Sequence, residues 1–285
     1  MAVFTGYNFY IMKNFSLIVV GILFIYCVSS CRKQVDKGFE MTVDLSISNP
    51  YLPMSVLVDT IESIRLQLPS PYFWGMVDNV ISKDSCYYIS DRKQEMAFRF
   101  SKNGTFLNAI GQRGEGPGEY REMDSFFVGK DCVYVCDMSK RTIYSYSFDG
   151  KFLHSLSFPY SLVFNDVVEL PDGRFLCHRP SQSENCKGLW ILDQKGRRVK
   201  NLLEYEKGTP CKNSYWNTLC AQEDGTIKIY NPVDGSYYQY DAVNDTVVRT
   251  MRQKSNLPML ADFHCSDWEL YETKEECTYS LFTVD

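Results

Sequence analysis

The sequence predicts an all-β chain folded as a β-propeller of four-stranded antiparallel blades. Three observations carry this expectation. Tyr and Phe are abundant, 20 and 18 residues against 4 Trp, and such side chains suit the half-buried, pleated surface of strands. Short apolar or alternating runs are broken by Asx-Gly pairs, among them Asn103-Gly104 and Asp149-Gly150, which mark hairpins. The chain also repeats itself at a spacing of 46 residues. Antiparallel repeats of roughly 40–50 residues read as propeller blades, because one small sheet can cover both faces only by stacking on its neighbours around an axis.

In chain order, the first segment is an address. Phe15 to Val28 is an almost unbroken apolar run preceded by Lys13. It falls short of the roughly 20 residues that a spanning helix needs, and reads as a secretory signal peptide. Lys13 directly follows Met12, which is read as the true start. The segment ends Val28-Ser29-Ser30-Cys31 and resembles the lipobox of bacterial lipoproteins. That resemblance implies cleavage before Cys31 and a lipid-modified Cys31 thiol. Several acyl chains would hold the protein on a membrane, where one chain alone binds only marginally. Arg32, rather than Asp, follows the cysteine, which favours the outer over the inner membrane of the cell envelope. Residues 1–30 are therefore read as signal, 31–54 as a polar, lipidated tether, and 55–285 as the propeller.

The repeat is clearest from Cys86 to Ile110, which lies without a gap on Cys132 to Leu156 and matches it at seven positions, including Cys86/Cys132, Asp91/Asp137 and Gly104/Gly150. Each copy reads as a strand ending in Asp or Asn, a polar turn, an alternating strand, an Asx-Gly hairpin and a last strand. The hairpin is expected to be a type I′ turn, with both central residues at φ > 0. A third copy ends at Leu189–Leu192 and the turn at Gly196. A fourth runs from Gly225 through Ser236 to Thr246, and a fifth is placed near Trp268. From Ser55 onward there is chain for about five blades. Ser63 to Leu68 is expected to act as a strand that clasps the last blade.

Between the first two copies the chain reads GQRGEGPGEY from Gly111. Together with the repeat, this resembles the NHL-type unit. It is closer still to the exported, NHL- and TolB-like six-bladed β-propeller lipoproteins of bacteria that carry a G-x-G-P-G-E-Y loop. The matching positions are Gly114, Gly116, Pro117, Gly118, Glu119 and Tyr120. The resemblance covers roughly residues 55–285 and implies one lipid-anchored propeller of six blades, one more than the chain length provides. Read physically, the loop is a blade crossover. Gly111 and its fellow glycines permit positive φ and close approach, Pro117 fixes φ, Glu119 accepts from backbone N–H groups, and Tyr120 plugs the gap between blades. No Gly-Lys-Ser/Thr follows, so it is not a nucleotide loop.

Candidates for chemistry are sparse. His154, His178 and His264 lack ligand spacing and read as half-buried strand residues. Cys132 and Cys136 cannot pair within one strand, where i and i+4 lie about 13 Å apart. Cys86 and Cys132 read as small packing residues, and Cys186, Cys211 and Cys220 as the cysteines nearest to loops and best placed for a bridge. Asp91, Asp137 and Asn231 share one repeat position and read as turn caps. The remaining candidates are aromatics that could stack on a ligand at the rim: Tyr72 and Trp74, beside Phe73, and Tyr215 and Trp216. Net charge is −5 with no basic block, which excludes a phosphate-tracking nucleic-acid surface. No catalytic residue, cofactor or metal ligand is assigned. The expected function is a membrane-tethered binding or scaffold module of the envelope that engages a protein, peptide or glycan. The runner-up is a metal-dependent propeller hydrolase or lyase.

Overall fold

A computed structural model describes residues 39–43, 58–180, 188–205, 218–222, 224–231 and 235–255. The segment read as a signal, Cys31, Tyr215, Trp216, His264 and the expected fifth copy lie outside these residues. Seventeen strands and no helix occur among the described residues. The first is β1 (Phe39–Val43). The first blade is β2 (Val77–Lys83), β3 (Cys86–Asp91), β4 (Met96–Ser101) and β5 (Phe106–Ile110). The second is β6 (Ser125–Val128), β7 (Val133–Asp137), β8 (Thr142–Tyr146) and β9 (Phe152–Ser157). The third is β10 (Asp166–Glu169), β11 (Phe175–Arg179), β12 (Gly188–Leu192) and β13 (Arg198–Leu203). The fourth is β14 (Leu219–Ala221), β15 (Ile227–Asn231), β16 (Ser236–Asp241) and β17 (Thr246–Ser255).

Within each blade the strands pair in chain order and antiparallel. The first strands of successive blades neighbour one another, β2 beside β6, β6 beside β10, and β10 beside β14. Four sheets therefore stack around one axis with their first strands innermost. This is the propeller of four-stranded antiparallel blades that the repeat predicts.

The core consists of the layers between blades. Strands alternate their side chains across the sheet, so one strand feeds two layers. Val133 and Val135 pack with Tyr88, Ala97 and Ile110 of the first blade. Tyr134 and Cys136, on the opposite face of the same strand, pack with Phe175, Trp190 and Leu192 of the third. Leu176, Leu189 and Ile191 then meet Leu219, Ile229 and Tyr238 of the fourth. Every position of β7, β8 and β12 is buried for this reason. The outermost strand of the second blade, β9, is almost wholly exposed.

The structure corrects two local expectations. In the Asx-Gly hairpins only the glycine has positive φ, at Gly104 (87°), Gly150 (80°), Gly173 (80°) and Gly225 (83°). Gly104 N–H donates to Ser101 O at 2.9 Å, and Ser101 N–H to Thr105 O at 3.0 Å. These are type I turns closed by a left-handed glycine, the longer hairpin of the family of turns, rather than type I′. The Asx side chain explains the choice: Asn103 Oδ1 accepts from Thr105 N–H at 3.1 Å, and Asp224 Oδ1 from Thr226 N–H at 2.8 Å.

The second correction concerns the clasp. Ser63–Leu68 forms no strand. Instead Leu66 and Leu68 lie against Ile89, Phe98 and Phe100 and cover the open face of the first blade. The strand added from the N-terminal side is β1, inside the span read as tether. It pairs parallel with β17, Phe39 opposite Met251 through Val43 opposite Ser255, on the outer edge of the fourth sheet.

Candidate functional site

The four innermost strands line an axis, and their two ends differ. At the far end, where β2, β6, β10 and β14 finish, the walls open into a funnel of about 590 Å³. A cavity of this size is in the usual range for a small ligand. Ile81, Val128, Leu170 and Ile227 supply apolar wall, while Lys83, Lys130, Glu169 and Gln222 supply polar groups.

These groups are held differently. Lys83 Nζ donates to the carbonyl oxygens of Gly129 and, at 3.3 Å, Lys130, tying the rim of the first blade to that of the second. Glu169 accepts from Lys130 N–H and from Tyr134 OH, each at 2.8 Å. A side chain at Gly129 would run into Glu169 and come within 2.5 Å of the Tyr134 ring, so only glycine fits between them. Burial, with Cys132 and Glu169 beside it, pushes the Tyr134 phenol far up and keeps it a donor. Lys83 and Lys130 are matched by Asp84 and Glu169, so the funnel carries no strong net charge.

The near end, where the inner strands begin, is narrow and acidic. A cavity of about 10 Å³ is lined by Asp78 and Asn79 of the first blade, Asp124 and Ser125 of the second, and Asn165 and Asp166 of the third. Asp166 is buried. It accepts from Thr218 N–H at 2.7 Å, Leu219 N–H at 2.9 Å and Val167 N–H at 2.9 Å. Burial nevertheless pushes its carboxyl up to about 6. Asp124 accepts from Met138 N–H at 2.7 Å, and burial raises its carboxyl as well.

Beside this end, His178 is fully buried. Its Nδ1 lies 2.6 Å from Thr218 Oγ1 and its Nε2 lies 2.8 Å from Tyr205 OH. Burial lowers its imidazole to about 3, so it is neutral at ordinary pH. The expectation of half-buried histidines is corrected on both sides: His178 is wholly inside, and His154 is exposed on β9 with Nε2 3.2 Å from Ser145 Oγ. Among the described residues, no three His, Cys, Asp or Glu side chains converge closely enough to hold a metal. Cys86, Cys132 and Cys136 are buried free thiols, Cys177 is likewise buried, and Cys220 is half-buried. Cys186 and Cys211 lie outside the described residues.

The glycine loop runs between β5 and the second blade. Gly111 takes φ 60° with the Tyr146 ring against it, and Gly118 takes φ 76° with Phe152 against it. Glu119 Oε2 accepts from Gly116 N–H at 2.7 Å, and Gln112 Nε2 donates to Oε1. Gly114 N–H donates to Tyr120 O at 2.8 Å. Lys140 Nζ reaches the carbonyls of Gly114 (3.0 Å) and Glu119 (3.1 Å), so the loop is stitched to the second blade. Tyr120 is fully buried and donates to Glu95 O at 2.9 Å, and its ring meets Tyr146 edge-on. Pro117 follows Gly116 at the tip.

Asp91 and Asp137 sit where the repeat aligns them. Asp137 accepts from Lys140 N–H at 2.8 Å in its turn and from Arg121 N–H at 2.7 Å in the incoming crossover. Asp91 does the same for Gln94 and for Gly75 and Met76. Each pins the entry to its own blade. Tyr72 and Trp74 pack on Phe98, Phe100 and Phe106, with ring centroids 5.3–5.9 Å apart. Together with Phe73, which is 60 % exposed, they border an open groove on the first blade.

Sequence reasoning missed both ends of the axis. A signal was available: Asp78 and Asp124 stand 46 residues apart, one repeat, but the alignable copies begin at Cys86, after the inner strand. The funnel residues share position rather than residue type, so no identity marks them.

The fold is found in other proteins. A Bacteroides fragilis NCTC 9343 protein described as a candidate exported protein superposes with a TM-score of 0.58 at 22% identity, over 69% of this chain and 57% of that one. This chain thus spans little more than half of that protein's length. A Bacteroides caccae protein of unknown function gives 0.38 at 14% identity over 66% and 62% of the two chains. The virginiamycin B lyase of Staphylococcus aureus gives 0.38 at 14% over 61% and 55%. At those two scores neither comparison bears on function. No curated protein matches the sequence. A family profile matches residues 40–278, from β1 through the whole described propeller. With most of its length inside that match, the chain belongs to the family described as Domain of unknown function (DUF4934).

Proposed function

We propose that the protein is an exported, lipid-anchored β-propeller that binds a peptide or glycan of the cell envelope, or a partner protein presenting one, in the funnel at the far end of its axis. The observation that carries this reading is the funnel itself: about 590 Å³, walled by apolar side chains and bordered by polar groups from all four described blades. The equal number of lysines (Lys83, Lys130) and acids (Asp84, Glu169) in the wall favours a ligand read by hydrogen bonds and apolar contact over one read by net charge. Lys130 is the group to test. Its ammonium has no partner among the described residues, so replacing it leaves the fold's own bonds intact.

The test is capture from detergent-solubilised envelope with the wild-type protein and with Lys130→Glu. A component held by the wild type and lost from the variant supports the reading, and identical capture by both removes the funnel from it. The anchor is tested separately. Cys31→Ser is expected to release the protein from membranes or leave it unprocessed. Membrane fractionation that does not change would refute lipidation.

A further inference from the structure

We infer that the ligand of the funnel is a short zwitterionic peptide, its carboxylate met by Lys130 and its free ammonium by Asp84. This rests on the reading that the funnel binds a ligand, and it names the chemistry of that ligand. Four charged side chains line the funnel: Lys83, Asp84, Lys130 and Glu169. Two of them are spent on the fold. Lys83 Nζ donates to the carbonyl oxygens of Gly129 and Lys130. Glu169 accepts at both oxygens, from Lys130 N–H and from Tyr134 OH, each at 2.8 Å.

The other two are unspent. Among the described residues, the side chains of Asp84 and Lys130 make no hydrogen bond and no ion pair, with each other or with a neighbour. Asp84 lies in the turn between β2 and β3, and Lys130 in the turn between β6 and β7. One free charge of each sign therefore stands on neighbouring blades of the same rim. That arrangement complements a ligand with one charge of each sign. A neutral oligosaccharide would leave both groups unmatched, and a ligand of single charge would leave one. Ion pairs at an open rim are weak by themselves. The apolar wall of Ile81, Val128, Leu170 and Ile227 adds the burial of an apolar side chain, which a peptide carries and which raises affinity without further charge.

The experiment titrates the full chain calorimetrically with the tripeptide Ala-Leu-Ala, its N-acetylated form and its C-terminal amide. The free tripeptide is expected to saturate one site, and each blocked form to bind roughly three- to ten-fold more weakly. Lys130→Gln is expected to abolish only the preference for the free carboxylate, and Asp84→Asn only the preference for the free ammonium. Neither side chain has a bond to lose, so both variants are expected to keep the fold, which thermal unfolding checks. Glycerophosphoethanolamine, a zwitterion with phosphate in place of carboxylate, is titrated alongside. The inference is overturned if the tripeptide does not bind, if free and blocked forms bind equally, if either variant leaves its preference intact, or if glycerophosphoethanolamine binds more tightly than the tripeptide. Capture from the envelope that is lost with Lys130→Glu, beside a tripeptide that does not bind, would keep the funnel as a binding site and remove the peptide from it.

Discussion

At the scale of single residues, much of this fold depends on where a side chain is not allowed. Gly111 and Gly118 both adopt left-handed φ, which costs an L-residue about 1–2 kcal/mol. They differ in what stands against them. The Tyr146 ring beside Gly111 is buried and bonded to Gly118 O at 2.9 Å, so it cannot move aside. The Phe152 side chain beside Gly118 is 42 % exposed, but its Cβ also stands 2.9 Å from where a new Cβ would sit, so turning the ring does not clear the space. Gly111→Ala and Gly118→Ala are therefore each expected to cost about 2–4 kcal/mol, combining backbone strain with overpacking. Denaturant unfolding of both variants checks this, and costs of only about 1–2 kcal/mol, the backbone term alone, would show that the aromatic neighbours do not matter. The loop's glycines and Tyr120 were legible in the sequence as a crossover, because positive φ and close approach are local demands. Their partners were not legible: Lys140 and Tyr146 belong to the next blade and are brought in only by stacking.

At the scale of the element, blades are joined by polar ties between their hairpin turns as well as by the apolar layers. Arg174, in the turn between β10 and β11, grips both oxygens of Asp245 at 3.1 and 3.2 Å, and Asp245 lies in the turn between β16 and β17. Lys200 of β13 and Tyr240 of β16 complete the tie. Burial alone would raise the Asp245 carboxyl, but the bonds from Arg174, Tyr240 and Lys200 outweigh it and hold the group at about 2, below its usual 3.8. A carboxyl held down in the folded state stabilises it above the unfolded value and loses that contribution as pH falls. The wild type is thus expected to lose stability between about pH 4 and pH 2 by a component that Asp245→Asn lacks. Urea unfolding at pH 5, 3 and 2 measures it, and parallel acid loss in both proteins would dismiss the tie. Strand identity was readable at this scale from alternation and turns, but turn type was not. Asn-Gly and Asp-Gly fit two hairpin geometries, and the Asx side chain, bonding two residues ahead, selected the type I form.

At the scale of the whole molecule, each interior layer is shared by two blades, so a core residue serves an interface rather than a private core. Leu176 is fully buried between the third and fourth blades. Leu176→Ala is expected to cost about 2–5 kcal/mol, because neighbouring sheets cannot collapse into the space left behind. Thermal and denaturant unfolding read this, and a loss below about 1 kcal/mol would mean that the blades shift freely against one another. By itself the sequence determined the repeat, the order and faces of the strands, the punctuation between them and hence the class of fold, since each rests on interactions among residues close in the chain. The tertiary structure alone decided that β1 joins β17 at an outer edge, that residues 63–68 cap the first blade, and that Asp78, Asp124 and Asp166 from three blades line one small cavity. Those outcomes depend on groups many residues apart that only radial stacking brings together, and a pattern of neighbours along the chain carries no record of that distance.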